Sequence, residues 1–308
     1  MPREQRATSV PRPRAGRGPL RLAVFGAGHF GRHYIRLLRA MPTTALAGVA
    51  RNHQQALHLL QRPSVDGVII ATPADTHFRL AAAALRKGWN ILVEKPLTLK
   101  LSDAKRLHQL ASRAGCVLMV GHQYLYHDHI TVLRQQVESG TLGRIRYVFS
   151  EHLYCGPIRR DVGVFWDAAP HELSIIDYLF HPPSVLDARG VSLAMLGGGH
   201  EDFASCQVTF SGGLLLTMVV CRFSPRKVRR LWFAGTRGMA VFDDLEPVKK
   251  LRLYRHPYPD PSAQRRSSNF FTVAKHEEVV PDVNGREPLR NELEHFVDCV
   301  GAGKIPLT

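Results

Sequence analysis

Residues 21–31, RLAVFGAGHFG, run an apolar strand directly into Gly26-Ala-Gly28-His-Phe-Gly31. A helical periodicity follows at once: His33, Tyr34, Leu37 and Leu38 fall on neighbouring turns of RHYIRLLRAM. A GxGxxG string alone is weak evidence, but between a strand and a helix each glycine has a task. Gly26 allows the tight turn, Gly28 lets a pyrophosphate approach the backbone, and Gly31 lets helix and strand pack closely. The phosphates then face the free N–H groups and positive end of a helix whose first turn carries His29 and Phe30. The pattern predicts a dinucleotide-binding α/β domain with a parallel sheet.

The following segments extend that domain. A second strand, Ala45–Ala50, ends where an adenosine ribose is met in this fold. An acidic residue there would hold the 2′-hydroxyl of NAD; the chain has Arg51 and Asn52 instead. A guanidinium suits a 2′-phosphate, so NAD or NADP is expected with a lean to NADP; Arg51 pointing only to solvent is the alternative. Next come a strand from Asp66 to Pro73, a helix from His77 to Lys87, and the strand Asn90-Ile-Leu-Val-Glu94-Lys95-Pro96. Lys95 then stands at the carboxyl edge of the sheet, where open α/β folds bind ligands. A helix from Ser102 to Ala114 and a strand from Cys116 to Gly121 complete the unit. Its end is expected near Gln123 to Tyr126, which divides the chain into a basic tail (1–20), a dinucleotide-binding domain (21–124) and a second domain (125–308).

The formal charge of +15 favours anionic partners, and part of it lies in Arg3, Arg6, Arg12, Arg14 and Arg17 of the tail. That tail lacks an apolar secretory core, and its Pro, Gly and Arg content predicts disorder. No nucleic-acid recognition motif accompanies the charge, so nucleic acid is not the expected partner. The five cysteines are scattered with no CxxC pair, which points to a reducing, cytoplasmic setting and against structural zinc. No apolar run approaches the roughly 18–20 residues of a membrane span.

A wider signature gathers around these elements. The glycine loop, Ala71-Thr72-Pro73 followed by His77, and Glu94-Lys95-Pro96 resemble the glucose–fructose oxidoreductase/inositol dehydrogenase/MocA family. The resemblance continues through Gly140-Thr-Leu-Gly143, Trp166-Asp167-Ala-Ala-Pro170-His171 and Glu287-Pro-Leu-Arg-Asn-Glu292, covering nearly all of residues 21–308. It implies a C-terminal α/β domain with a large, open, mostly antiparallel sheet that serves oligomerisation. Independently, Phe203–Phe210 and Leu214–Val220 are β-rich runs joined by Ser211-Gly-Gly213, Leu231–Ala234 and Met239–Phe242 flank another turn, and strands follow at 251–254 and 270–274. The resemblance implies NAD(P)-dependent hydride transfer at a hydroxyl carbon of a sugar or nucleotide sugar. It places Ala71, Thr72, Pro73, His77, Glu94, Lys95 and Gln123 among the cofactor contacts, beside Gly26, Gly28, His29, Phe30, Gly31, Arg51 and Asn52. It maps the catalytic residues to Lys95, Asp167 and His171.

Oxidising an alcohol removes a proton from oxygen while hydride leaves carbon. Lys95 suits the developing alkoxide, and Asp167 suits orientation of His171 or of the sugar. His171 follows Pro170 and is expected to open the helix 172–180, whose positive end would favour a neutral imidazole. No metal site is expected: His122, His127 and His129 around Asp128 fit a solvated loop, and Ile175 stands where a zincin needs its second histidine. Arg226 to Arg230 fits a solvated strand edge or a subunit contact. A noncatalytic dinucleotide- or sugar-binding regulator remains the alternative function.

Two departures from the family pattern carry expectations of their own. Between Asn52 and Val65 there is room for one helix, so a sheet strand is expected to be absent, with the helix His53–Arg62 crossing directly to the strand near Gly67. The sequence stops at Thr308, where the resemblance implies a further helix packed on the first domain. Together these predict reduced stability and weak turnover.

Overall fold

A computed structural model of the chain describes residues 18–62, 64–156, 161–181, 184–197, 199–255 and 277–308. Residues 1–17 of the basic tail and the strand expected at 270–274 lie outside the described residues. The chain forms two compact units, one of the described residues up to Gln123 with Glu287–Thr308, the other Tyr124–Arg286. The expected second domain of 125–308 therefore differs from the structure at its C-terminal end, where the chain returns to the first unit.

In the first unit, strands and helices alternate as β1 (Leu20–Phe25), α1 (His29–Ala40), β2 (Thr44–Ala50), α2 (His53–Leu59), β3 (Gly67–Ile70), α3 (Ala74–Arg86), β4 (Asn90–Glu94), α4 (Leu101–Ala114) and β5 (Leu118–Gly121). The five strands form a parallel sheet in the order β2-β1-β3-β4-β5. The chain leaves β1 toward one edge for β2 and returns past it to β3. The carboxyl ends of β1 and β3 thus frame the switch point at which such sheets bind ligands.

Residue alternation explains how both faces are covered. Ala23, Phe25, Val68, Ile70, Ile91 and Val93 pack with Ala56 and Leu59 of α2, Leu80 and Ala81 of α3, and Leu107 of α4. Glu94, one residue on from Val93, faces the other side, where Tyr34 of α1 hydrogen-bonds it. The short stretch after β2 holds α2 alone, and its right-handed crossover carries it to the face opposite α1. The face of α1 also receives a C-terminal helix, Pro288–Ala302, which buries Leu289, Glu292, Leu293, Phe296, Cys299 and Val300. Those apolar positions recur at helical spacing, and burying them on the first unit is why the chain returns there.

In the second unit a 3-10 turn (Gln123–Tyr126) that straddles its start leads into α5 (Asp128–Glu138), β6 (Ile145–Cys155), α6 (Val164–Phe180), β7 (Val185–Leu193), β8 (Phe203–Phe210), β9 (Leu215–Cys221), β10 (Phe223–Gly235), β11 (Gly238–Asp243), β12 (Leu251–Arg255) and β13 (Glu277–Val279). The C-terminal helix Pro288–Ala302 is α7. The eight strands order as β13-β12-β11-β10-β6-β9-β8-β7, with β6 and β9 parallel and the other pairs antiparallel. Gly212 and Gly213 turn the β8–β9 hairpin at φ +92° and +77°, a region that favours glycine. Val164 and Ala168 of α6 pack on Ala204 and Val220 of the sheet. Val185, Leu186, Val191 and Leu193 of the edge strand β7 are exposed, and Phe149 of β6 meets Tyr147 and Trp232 in a row of rings.

Three local expectations are corrected in this unit. α6 begins at Val164, so Pro170 lies inside the helix and His171 near its middle, away from the positive end. Proline forfeits one backbone bond there, but burial of Val164, Ala168 and Ala169 holds the turns that precede it. His127 and His129 are buried at the start of α5 and not in a solvated loop. Arg229 and Arg230 lie on β10, an interior strand, and pair with Asp244 and Asp243 at 3.5 and 3.0 Å.

Candidate active site

The glycine loop separates into two kinds of position. A Cβ at Gly26, whose φ is +96°, would run into the Ala71 carbonyl, and one at Gly31 into the carbonyl of Gly26. Both glycines are demanded by the fold of the loop itself. Around a Cβ at Gly28 there is no protein atom within 4 Å. Gly28 is also the N-cap of α1 and offers no side chain to bond the first-turn N–H groups. This is the cradle a pyrophosphate needs, and the residues present fit a dinucleotide.

Beside the loop, Arg51 is exposed at the end of β2 and its backbone N–H donates to Gln55 Oε1 at 2.7 Å. Asn52 Oδ1 caps α2 by accepting from the Gln55 N–H at 2.9 Å. Both line a cavity of about 150 Å³ together with Phe25, Thr72, Pro73 and Arg79. Arg79 was not anticipated from the sequence; its place one helical turn after Thr76, on the face of α3 toward that cavity, was the available signal.

Glu94 and His77 prove to be internal supports. The Tyr34 hydroxyl lies 2.8 Å from Glu94 Oε1 and 3.0 Å from Glu292 Oε2. A phenol carries one proton, so it donates to one carboxyl group and must accept from the other. One of the two acids therefore holds a proton. Glu292 is wholly buried, and its pKa is pushed well up by desolvation and by the Glu94 charge; the Tyr34 pKa is raised by the same burial and both carboxyl groups. Glu94 in turn accepts from the Lys95 N–H at 3.3 Å, which ties α1 and α7 to the Lys95 turn. His77 has Nδ1 at 2.9 Å from the Pro96 carbonyl and Nε2 at 2.8 Å from that of Thr72, stapling the loop after β3 to the same turn. Both side chains are engaged within the unit, at the sheet edge where their cofactor contacts are expected.

A raised folded-state pKa contributes stability that is complete below the unfolded value and is lost as pH rises toward the folded one. Glu292→Gln, a permanently neutral isostere, is expected to equal or exceed wild-type stability at pH 7, the difference shrinking toward pH 4.5. Glu292→Ala should cost roughly 2–4 kcal/mol by leaving Tyr34 and Glu94 short of a partner beside a cavity. Urea unfolding at the two pH values measures both; a Gln variant as damaged as Ala at pH 7 would contradict a protonated Glu292.

At the end of β5, His122 is near Lys95, whose charge adds to burial in lowering the imidazole pKa to about 4. Its Nδ1 is buried without a hydrogen-bond partner among the described residues, a polar atom that a ligand can satisfy. Gln123 closes this unit.

The second unit holds Asp167 and His171 one turn apart on α6. The Asp167 carboxylate accepts from the Tyr154 hydroxyl at 3.0 Å and pairs with the buried Arg222 guanidinium at 3.4 Å. The His171 ring packs against two others: Tyr124 meets it edge-on at 4.9 Å and His152 stacks on it at 6.2 Å. His152 Nδ1 is 2.8 Å from Glu172 Oε1, with both side chains buried. The Tyr124 hydroxyl donates to Asp244 Oδ2 at 2.8 Å and receives Arg229 Nη1 at 3.2 Å. Burial and Asp244 push the Tyr124 pKa up, so it remains a donor. His127 is held neutral, its pKa lowered to about 4 by burial and His129. Among the described residues no group of three or more His, Cys, Asp or Glu is placed to hold a metal ion.

Tyr154, Arg222, His152 and Glu172 were not anticipated. His152 was legible in principle, since Val148, Ser150 and His152 alternate onto the buried face of β6. Arg222 follows β9 with no local pattern to mark it.

A parallel sheet with a glycine-loop switch point, a lysine at its carboxyl edge and a second unit carrying the Asp–His pair defines the class of nicotinamide-dependent oxidoreductases. Within that class the chain belongs to the GFO/IDH/MocA family. Residues 20–122 match its oxidoreductase family, NAD-binding Rossmann fold model, and residues 130–241 match its C-terminal domain. The chain is 36% identical over 207 residues to the uncharacterized oxidoreductase YdgJ of Escherichia coli (strain K12), a match covering 63% of this chain and 58% of that protein. It is 28% identical over 298 residues to UDP-N-acetylglucosamine 3-dehydrogenase of Acidithiobacillus ferrooxidans, covering 92% of this chain and 89% of the relative. A solved structure of that enzyme superposes with a TM-score of 0.78 at 26% identity, covering 94% of this chain and 91% of the other. No described helix is long and apolar enough to cross a membrane.

Proposed function

We propose that this chain is an NAD(P)-dependent dehydrogenase acting on a hydroxyl carbon of a sugar or nucleotide sugar, with NADP the favoured cofactor. The observation that carries this reading is the open cradle at Gly28 in the same sheet edge that presents Lys95. The end-to-end likeness to a nucleotide-sugar dehydrogenase supports the substrate class. Arg51, in place of an acidic residue, supports NADP.

The N–H groups at the start of α1 would hold the pyrophosphate, and Arg51, Thr72 and Pro73 the adenosine end. A bound nicotinamide supplies the acceptor for the hydride that leaves the alcohol carbon. Lys95 stabilises negative charge on the alcohol oxygen, and His171 takes its proton, leaving a carbonyl. Asp167, fixed by Tyr154 and Arg222, orients the hydroxyl groups. Burial of His171 between Tyr124 and His152 keeps its ring in one orientation.

The test is reduction of NAD or NADP by the purified chain with UDP-N-acetylhexosamines, UDP-hexoses, free hexoses and inositols. Turnover with at least one of these is expected. Tight cofactor binding with no turnover on any would favour the noncatalytic regulator. Self-association through the exposed face of the second unit's sheet belongs to the same reading, and the mass of the chain in solution measures it.

A further inference from the structure

We propose that an arginine cleft on the α1 flank of the first unit is the subsite for the adenosine 2′-phosphate, which makes Arg32 and Arg39 cofactor-selectivity residues beside Arg51. The proposal rests on dinucleotide binding at Gly28 and adds the residues that distinguish NADP from NAD.

Arg51 borders two separate hollows. One, of about 150 Å³, sets the apolar side chains of Phe25, Ala56 and Leu80 beside the polar ones of Asn52, Thr76 and Arg79, a mixture that suits a planar base with polar edges. The other, of about 350 Å³, lies across β2 from it and is lined by Ala27, Arg32, Arg36, Arg39, Val49 and Arg51, with no acidic residue in its wall. Ala27 belongs to the glycine loop and Val49 to the end of β2. These are the two places between which a dinucleotide fold sets the adenosine ribose and its 2′ oxygen. A ribose there would direct a 2′-phosphate into the second hollow.

The charge arrangement supports the same ligand. Arg32, Arg36 and Arg39 are spaced four and three residues apart and so share one face of α1. Arg36 is neutralised by an ion pair with Glu287. Arg32, Arg39 and Arg51 have no ion pair among the described residues. Like charges gathered in a concave site repel one another and concentrate anions there. Guanidinium forks match phosphate oxygens in pairs, which a lone ammonium does not. A sequence reading that stops at the residue after β2 sees only Arg51, because the other cations belong to a helix whose outward face looks like ordinary solvated surface.

Dissociation constants for NADP and NAD, and for 2′,5′-ADP against 5′-AMP, test the proposal on the full chain. The variants are Arg32→Ala/Arg39→Ala and, as a control on the exposed side of α4, Arg113→Ala. Wild type is expected to bind NADP more tightly than NAD. The double variant should lose about tenfold or more in NADP and 2′,5′-ADP affinity, as charged hydrogen bonds to phosphate are removed, with NAD and 5′-AMP changed less than about twofold. The control should leave all four unchanged. Equal losses for NAD and NADP, or undiminished NADP affinity in the double variant, would overturn the cleft while leaving dinucleotide binding intact. Failure of wild type to bind either dinucleotide would instead overturn the proposed function beneath it.

Discussion

Replacing Gly28 with valine is expected to leave the protein folded and to weaken binding of both dinucleotides by roughly 100-fold, about 3 kcal/mol. The reason lies in the difference among the three glycines. A side chain at Gly28 meets no protein atom within 4 Å, so the valine has room in the folded chain. It stands on the N-cap of α1, over the N–H groups that would bond the pyrophosphate, and it separates them from their ligand. Gly31→Ala should behave in the opposite way. Its Cβ collides with the Gly26 carbonyl, so the loop must shift, with a stability cost of about 1–3 kcal/mol and a secondary effect on binding. Calorimetric titration with NAD and NADP, alongside thermal unfolding of each variant, separates the two effects. Gly28→Val with wild-type affinity and an unchanged melting temperature would sink the assignment of the cofactor cradle.

The first unit was legible because its signals are local. The β1–glycine loop–α1 sequence, the single helix between β2 and β3, and the placement of that helix opposite α1 all follow from residue periodicity and the handedness of crossovers. No helix was expected over α7, although Leu289, Leu293, Phe296 and Val300 recur at helical spacing, and its destination was not legible either. Amphipathic spacing states that one face is buried; it does not say against which partner. A clue was nevertheless present, since Glu292 interrupts that apolar stripe. A carboxyl group on the buried face of a helix requires a polar partner, and Tyr34 and Glu94 supply it from more than 190 residues earlier in the chain.

Within the candidate site, the motifs marked residues but not the internal contacts that hold them. His77 and Glu94 carry family positions, yet both turn inward because a histidine between two carbonyl oxygens and a carboxylate beside a phenol are engaged where they stand. Pro170 misled more directly. Proline is favoured in a first turn, so the helix was expected to open at His171; the apolar contacts of Val164 and Ala168 carry α6 through the proline instead. The consequence is chemical. His171 cannot draw on a helix terminus, and its surroundings include the Tyr124 edge and the His152 face.

That environment shapes the last expected result. If Lys95 and His171 act on the alcohol oxygen as proposed, Lys95→Ala and His171→Ala should each lower kcat by roughly 10²–10⁴-fold while dinucleotide affinity stays within a few fold, because the Gly28 cradle is left intact. The two should differ in their surroundings. Lys95→Ala removes a positive charge beside His122, so the His122 pKa, held at about 4 by burial first and by Lys95 second, should rise only in part. His171→Ala opens a space between Tyr124 and His152, and the buried His152–Glu172 pair then loses packing on one side. His171→Asn, which keeps a polar group and more of the volume, should recover stability without recovering turnover. Steady-state kinetics with cofactor titrations on all three variants, together with the NMR titration of His122, provide the readout. Losses below about threefold in both alanine variants would remove Lys95 and His171 from the reaction, and recovery of kcat in His171→Asn would reduce His171 to a packing residue.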